Sequence, residues 1–238
     1  MDWVDEGIVL SLRRHGESAI VVHLLTRKHG RHSGLVHGGN SKKQRGILQL
    51  GNEVHASWRA RLEEHLGAFK VELVDGHAAR ILSDPGRLAA MSSACELVDI
   101  CLPDREPHPK LFKLLQAFVS ALPKAEWAAA YVAWELSLLA ELGFGLDLTT
   151  CIATGVIDDL IYVSPKSGRA VSRDAGEGYR DKLLPLPQFL IGRGDTQGSA
   201  ISEGLRLTAY FLERHVLGPH DKLLPDNRKR IARTVWIG

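Results

Sequence analysis

Between Arg27 and Arg61 the chain places eight basic side chains (Arg27, Lys28, Arg31, Lys42, Lys43, Arg45, Arg59 and Arg61) against a single acid, Glu53. The formal charge of that window is +7, whereas all 238 residues together carry +2. Charge concentrated in this way calls for a polyanion, and nucleic acid is the first candidate. Lys42, Lys43 and Arg45 stand in the run Gly38–Gly46, rich in glycine and small polar residues, where backbone amides can approach phosphates. A second basic stretch, Arg228-Lys229-Arg230 with Arg233, offers the same chemistry near the C-terminus.

Bond-making chemistry finds less support. Gly34–Ser41 nearly fits the phosphate-binding loop of nucleotide hydrolases, but Asn40 stands where the lysine is needed, and the residues after Ser41 do not resemble a helix. The Gly-x-Ser-x-Gly elbow of serine hydrolases is missing from the sequence. His29 and His32 are spaced i, i+3 beside His37 and His55, but no cysteine is near and carboxylates are few, so surface histidines are expected rather than a metal site. Asp158-Asp159 reads as a solvated turn, and Cys95 and Cys101 read as packed residues on a helix.

The elements that must carry the basic residues come in two styles. Gly7–Arg13, Ser18–Thr26 and Arg31–His37 are apolar and β-branched, separated by turns at His15-Gly16-Glu17 and Lys28-His29-Gly30. Val54, Ala56 and Trp58 alternate with polar residues, as do Phe69, Val71 and Leu73, which implies one buried and one wet face. Five short strands in this span predict a small closed or partly closed barrel with Trp58 and Phe69 inside, gripping phosphates and leaving bases free. At Ser83-Asp84-Pro85 the period changes to 3.6, with Asp84 as cap and Pro85 in the first turn. Helices run through Leu88–Leu102, Lys110–Leu122 and Glu126–Leu142, the last apolar nearly all round. Residues 147–195 read as a strand-and-turn insertion, and a last helix runs from Ala200 to Leu217, ending at Gly218-Pro219.

The apolar fraction of 45% and the charged fraction of 24% are those of an ordinary globular chain. Three cysteines, Cys95, Cys101 and Cys151, form no disulfide framework. The opening Met-Asp-Trp-Val-Asp-Glu is acidic where a signal peptide would be basic and then apolar, so a cytoplasmic location is expected, away from membranes.

Several stretches, read together, resemble the bacterial DNA repair protein RecO family. They are Gly7–Leu12, Gly16-Glu17, Leu24–Arg31, the basic loop Gly38–Arg45, Leu48–Asn52, Trp58–Arg61 and Leu66-Gly67. In the second half Glu135-Leu136, Leu139 with Leu142-Gly143, Leu146–Leu148 and Tyr162–Pro165 continue the match. The resemblance implies an α+β protein: an N-terminal five-stranded OB-fold barrel (1–80), then a mainly α-helical domain (81–238) with a small β/turn insertion (147–195). It implies a recombination mediator without catalytic residue or cofactor, acting at DNA damage in the nucleoid. Such a protein binds single- and double-stranded DNA and anneals complementary strands. With RecR, and often RecF, it helps RecA onto DNA coated by single-strand-binding protein, whose acidic C-terminal tail docks on the helical domain of some members.

One departure from the family concerns zinc. Many members carry two Cys-x-x-Cys pairs in the insertion; here Cys151 matches the first ligand, Thr154 stands at the second, and Ser172 and Ala175 stand near the others. One thiol cannot hold a structural zinc. The insertion is therefore expected to be metal-free, a degenerate zinc finger held by Ile157, Ile161 and Val163. Two other readings stay open: a non-enzymatic RNA- or ribosome-binding OB-fold protein, and a metabolic enzyme with an anionic substrate. The second lacks any convergent acid–base set.

Overall fold

The computed structural model describes residues 1–196 and 198–237, with side chains described up to Thr234. It divides into two compact units, Met1–Lys124 and Ala125–Gly238.

The first unit is built on a closed barrel with strand order β1-β2-β3-β5-β4. Strand β1 (Asp2–His15) is long because it serves two neighbours. Its first half, Asp2–Ile8, pairs antiparallel with β4 (Glu53–Arg59), and its remainder from Gly7 pairs with β2 (Ala19–Thr26). The register shifts between Val9 and Ser11, a bulge that lets the strand bend round the ring. β2 pairs with β3 (Gly30–Val36), β4 pairs with β5 (Ala68–Asp75), and a parallel contact from Leu35 to Ala68 closes the circle.

The interior is filled by Val9, Val22, Leu24, Val54, Ala56, Trp58, Phe69 and Val71. Trp58 and Phe69 lie directly opposite each other across β4 and β5 and both point inward, as their alternation predicts. Phe69 lies flat against Gly34, where any side chain would collide with the ring. The alternation fails at the end of β5. Leu73 is 46% exposed and Val74 57%, because the register with β4 shifts between Glu53 and Val54 and the strand leaves the core there.

The segment expected to be a loop at Gly38–Gly46 contains a short helix, α1 (Lys42–Ile47). Ser41 caps it by accepting a hydrogen bond from the Gln44 N–H, and Asn40 fastens its start to the β1–β2 turn through the Ser18 and Glu17 carbonyls. A helix therefore does come after the glycines, but Gly34–Val36 belong to β3, so the run is not a phosphate-binding loop.

The short helix α2 (His77–Arg80) leads to α3 (Pro85–Cys101), where Asp84 accepts from the Arg87 N–H with Pro85 in the first turn. Helix α4 (Pro109–Ala121) buries Leu111, Leu115 and Phe118. Polar ties bind these helices to the barrel: His23 and Arg31 reach Asp99 on α3, and Gln116 on α4 reaches Glu53. The compact unit runs on to Lys124.

The second unit is centred on α5 (Trp127–Glu141), which buries Tyr131, Val132, Trp134 and Leu138. The insertion forms a three-stranded sheet in the order β7-β6-β8, from β6 (Leu160–Val163), β7 (Ala170–Ser172) and β8 (Leu184–Pro185), with the short helix α6 (Arg173–Gly176) between β7 and β8. Val163 is fully buried in it, but Ile157 is 62% exposed and does not help to hold it. Asp159, expected to be solvated, accepts two hydrogen bonds from the Arg173 guanidinium. Helix α7 (Ser199–Phe211) continues as a π-helical segment, Leu212–Leu217, before Gly218-Pro219, and α8 (Asp226–Ile237) comes last. No helix among the described residues is long and apolar enough to cross a membrane.

Arg228, on α8, enters the core of this unit instead of standing with the exposed cations of the basic tail. Its Nε and Nη2 donate to the two oxygens of the fully buried Glu135 carboxylate at 2.7 and 2.9 Å, and Nη2 also donates to the Leu205 carbonyl. Thr208 completes the cluster with a hydrogen bond from its hydroxyl to Glu135. Removing one member of such a pair strands a buried charge. Arg228→Met should lower unfolding free energy by about 3–5 kcal/mol in urea titrations. The double variant Glu135→Met/Arg228→Met should recover most of the loss.

Candidate nucleic-acid interface

The structure sorts the eight basic residues of the window into three groups. Arg27 and Arg31 are taken up internally. Arg27 pairs with Glu6 at 2.7 Å and lies over the Phe112 ring at 5.2 Å. Arg31 joins Asp99 at 3.0 Å and Asp104 at 2.8 Å. Burial would raise the Asp99 carboxyl, but hydrogen bonds from His23 and Arg31 outweigh it and hold it below the usual carboxylate range. These two arginines stitch the barrel to the helices beside it, a role the charge count could not reveal.

The second group is Lys42, Lys43 and Arg45 on α1, all exposed. Among the described residues none of them has a carboxylate partner. Arg45 is aimed by a hydrogen bond from its Nε to the Asn40 carbonyl at 2.8 Å. It lines a groove of about 330 Å³ together with Arg14, Asn40, Gln49, Leu12, Ile20 and Leu48. Arg14 lies outside the basic window of the sequence. The signal that could have found it is its place on the hairpin arm of β1, across from Ile20, beside which the Gly38–Gly46 segment folds.

The third group is Lys28, Arg59 and Arg61, exposed near the other end of β1. Arg59 is paired in register with Asp2. Asp2 and Lys28 line a cavity of about 550 Å³ at this mouth of the barrel, with Met1, Trp3, His29, His32, Trp58, Glu63 and Arg105. Three rings form a stack there: Trp58 is buried, Trp3 is half-buried with its centroid 5.7 Å away, and His29 lies 4.2 Å from Trp3 at an interplanar angle of 6°. Asp5 fixes His29 through a 3.1 Å contact to Nδ1.

His32, expected on the surface, is only 3% exposed, its ring set edge-on to Trp3 and Trp58. Neither of its ring nitrogens has a hydrogen-bond partner. Among the described residues no three His, Cys, Asp or Glu side chains converge to hold a metal.

In the insertion, Cys151 is buried and its sulfur accepts from the Ser172 N–H at 3.3 Å and the Ser172 hydroxyl at 3.4 Å. Burial would push this thiol up, but hydrogen bonds from Ser172, Thr154 and the Ala153 backbone bring it down to about 6. Ser172 and Thr154 thus converge on the sulfur as hydrogen-bond donors. Nearby, Leu148, Ile157, Leu160, Leu190 and Ile191 line a second cavity of about 450 Å³, with Thr149 and Arg193 at its edge.

The family model "Recombination protein O N terminal" matches residues 1–77, and "Recombination protein O C terminal" matches residues 82–224. The chain belongs to the RecO family. A protein named DNA repair protein RecO from Rhodospirillum centenum is 53% identical over 234 residues, covering 98% of this chain and 94% of its own. RecO proteins of Rhodospirillum rubrum and Methylorubrum extorquens are each 48% identical, again over 98% of this chain and 95% and 97% of theirs. This is therefore a DNA repair and recombination protein of the RecO family.

His32 gives the barrel an acid-sensitive element. Burial, reinforced by Arg105 and His29, lowers its imidazole from 6.5 to about 4. The unfolded chain takes up this proton first, so the stability involved is intact above pH 6.5 and is lost as pH falls toward 4. The gap in unfolding free energy between wild type and His32→Phe should shift against wild type by roughly 3 kcal/mol across that range, read from urea midpoints at successive pH values.

Proposed function

We propose that this protein is a non-enzymatic recombination mediator that binds single- and double-stranded DNA through its barrel without regard to sequence. It anneals complementary strands, and with RecR and RecF it helps RecA onto DNA covered by single-strand-binding protein. The observation that carries this reading is the cluster Lys42, Lys43 and Arg45, exposed and without carboxylate partners, beside Arg14 along a groove. Lys28, Arg59 and Arg61 extend the cationic surface along the same barrel; Arg27 and Arg31 are left out of it because they are paired.

Annealing follows from simple electrostatics. Two strands approaching each other are opposed by phosphate repulsion and by whatever covers their bases. Cations that neutralise phosphates lower the first barrier, and the pairing edges stay open because the tryptophan and phenylalanine inside the barrel face its core. No bond is made or broken, so no nucleotide is consumed. The site of action would be the nucleoid, in the cytoplasm.

The cavity of the insertion suits the tail of single-strand-binding protein. An acidic peptide with an apolar end needs a greasy pocket beside a cation. Leu148, Ile157, Leu160 and Leu190 provide the first and Arg193 the second, with only a loose 3.9 Å approach to Asp158.

Replacing Lys42, Lys43 and Arg45 together with glutamine should weaken binding of all sequences alike by about tenfold and flatten the log–log salt slope on single strands by about two. Fluorescence anisotropy across a salt series measures both, and unchanged affinity would move the DNA site elsewhere. Arg193→Glu should weaken binding of a labelled tail peptide at least about tenfold while leaving bare-DNA affinity unaltered. An unaffected peptide would remove this pocket from consideration.

A further inference from the structure

The cavity at the mouth of the barrel has features that a purely phosphate-gripping surface does not need. Its wall is a stack of flat rings ending at His29, whose side chain keeps 34% of its surface exposed and is held in plane by Asp5. Two cations, Lys28 and Arg105, stand beside it, and among the described residues neither has a carboxylate partner. Arg105 is held by a hydrogen bond to the His65 carbonyl at 3.0 Å. Two acceptors, Asp2 and Glu63, share the lining.

His32 supplies a separate observation. It lines the same cavity, is almost wholly buried, and has one nitrogen that must donate and one that must accept, yet both lack partners. An unsatisfied buried polar group is unfavourable, and such groups in native proteins call for a reason. A ligand with donors and acceptors along a flat edge, an aromatic face and an adjoining negative charge matches the ring wall, the cations and the acceptors of this lining.

We propose that this cavity seats one unpaired nucleobase of a DNA strand, its face on the ring wall of Trp3 and His29 and its phosphate against Lys28 and Arg105. The inference rests on the DNA-binding reading given above and adds to it a contact with a base. Asp2 and Glu63 accept hydrogen bonds from exocyclic amines, so cytosine, adenine and guanine fit better than thymine, which has none. Holding a single base leaves the rest of the strand free to find its complement, so the seat is compatible with annealing. It would act as a register pin where a strand leaves the groove or ends.

The test compares a twelve-residue oligodeoxycytidine with an abasic oligomer of the same length, which keeps sugar and phosphate and lacks only the bases. The wild-type protein should bind the first on the order of tenfold more tightly, the ratio expected for one stacked base. His29→Ala should bring that ratio close to one without changing affinity for the abasic strand. His29→Phe, which also loses the tie to Asp5 but keeps a flat ring, should restore it. Equal affinity of the wild type for both oligomers overturns the base seat and leaves the phosphate-binding reading standing. Failure to bind either overturns both. A ratio that survives His29→Ala assigns the base contact to another part of the molecule and overturns this one.

Discussion

β1 hydrogen-bonds to β4 through its first half and to β2 through its second, and this double engagement turns a meander of strands into a ring. Ring closure decides which side chains can do chemistry. Apolar residues of alternating positions are drawn inward, Trp58 against Phe69 at the centre, and polar ones are left outside. The bend at the Val9–Ser11 bulge gives β1 two distinct ends. One meets α1 and its cations; the other meets the stacked rings of Trp3 and His29. The barrel therefore presents two kinds of surface, one suited to backbone phosphate and the other to a flat ring.

Part of this was legible in the sequence and part was not, for identifiable reasons. Period-two alternation located β4 and put Trp58 inside, because strand geometry is local. Asp84 and Pro85 marked the start of α3 for the same reason. Helix α1 escaped notice because six residues with a glycine among them show no apolar stripe; its cap and its anchor at Asn40 do the work that packing does elsewhere. The role of Arg31 was invisible because Asp99 and Asp104 lie far along the chain, and a charge count over a window cannot see them. His32 could have been placed inside, since it shares the buried face of β3 with Gly30, Gly34 and Val36. Its polarity argued for the surface and the pattern overrode it.

In the insertion, hydrogen bonds converge on a single buried sulfur. Ser172 and Thr154 turn their hydrogen-bond donors toward the Cys151 sulfur. The small sheet then relies on Val163, Leu160 and the Asp159–Arg173 clamp. Ile157 lies at the surface, where it borders the cavity that Arg193 also lines.

The split allegiance of β1 also shapes the birth of the molecule. The strand is synthesised before either of its partners, and its later half can fold back on β2 as a hairpin almost at once. Its leading half must wait until Glu53–Arg59 has been synthesised before its backbone finds a partner. Through that interval the nascent chain carries an open edge of the kind that recruits foreign strands. The time needed to translate residues 16–59 then sets the shortest interval for which that edge stays open.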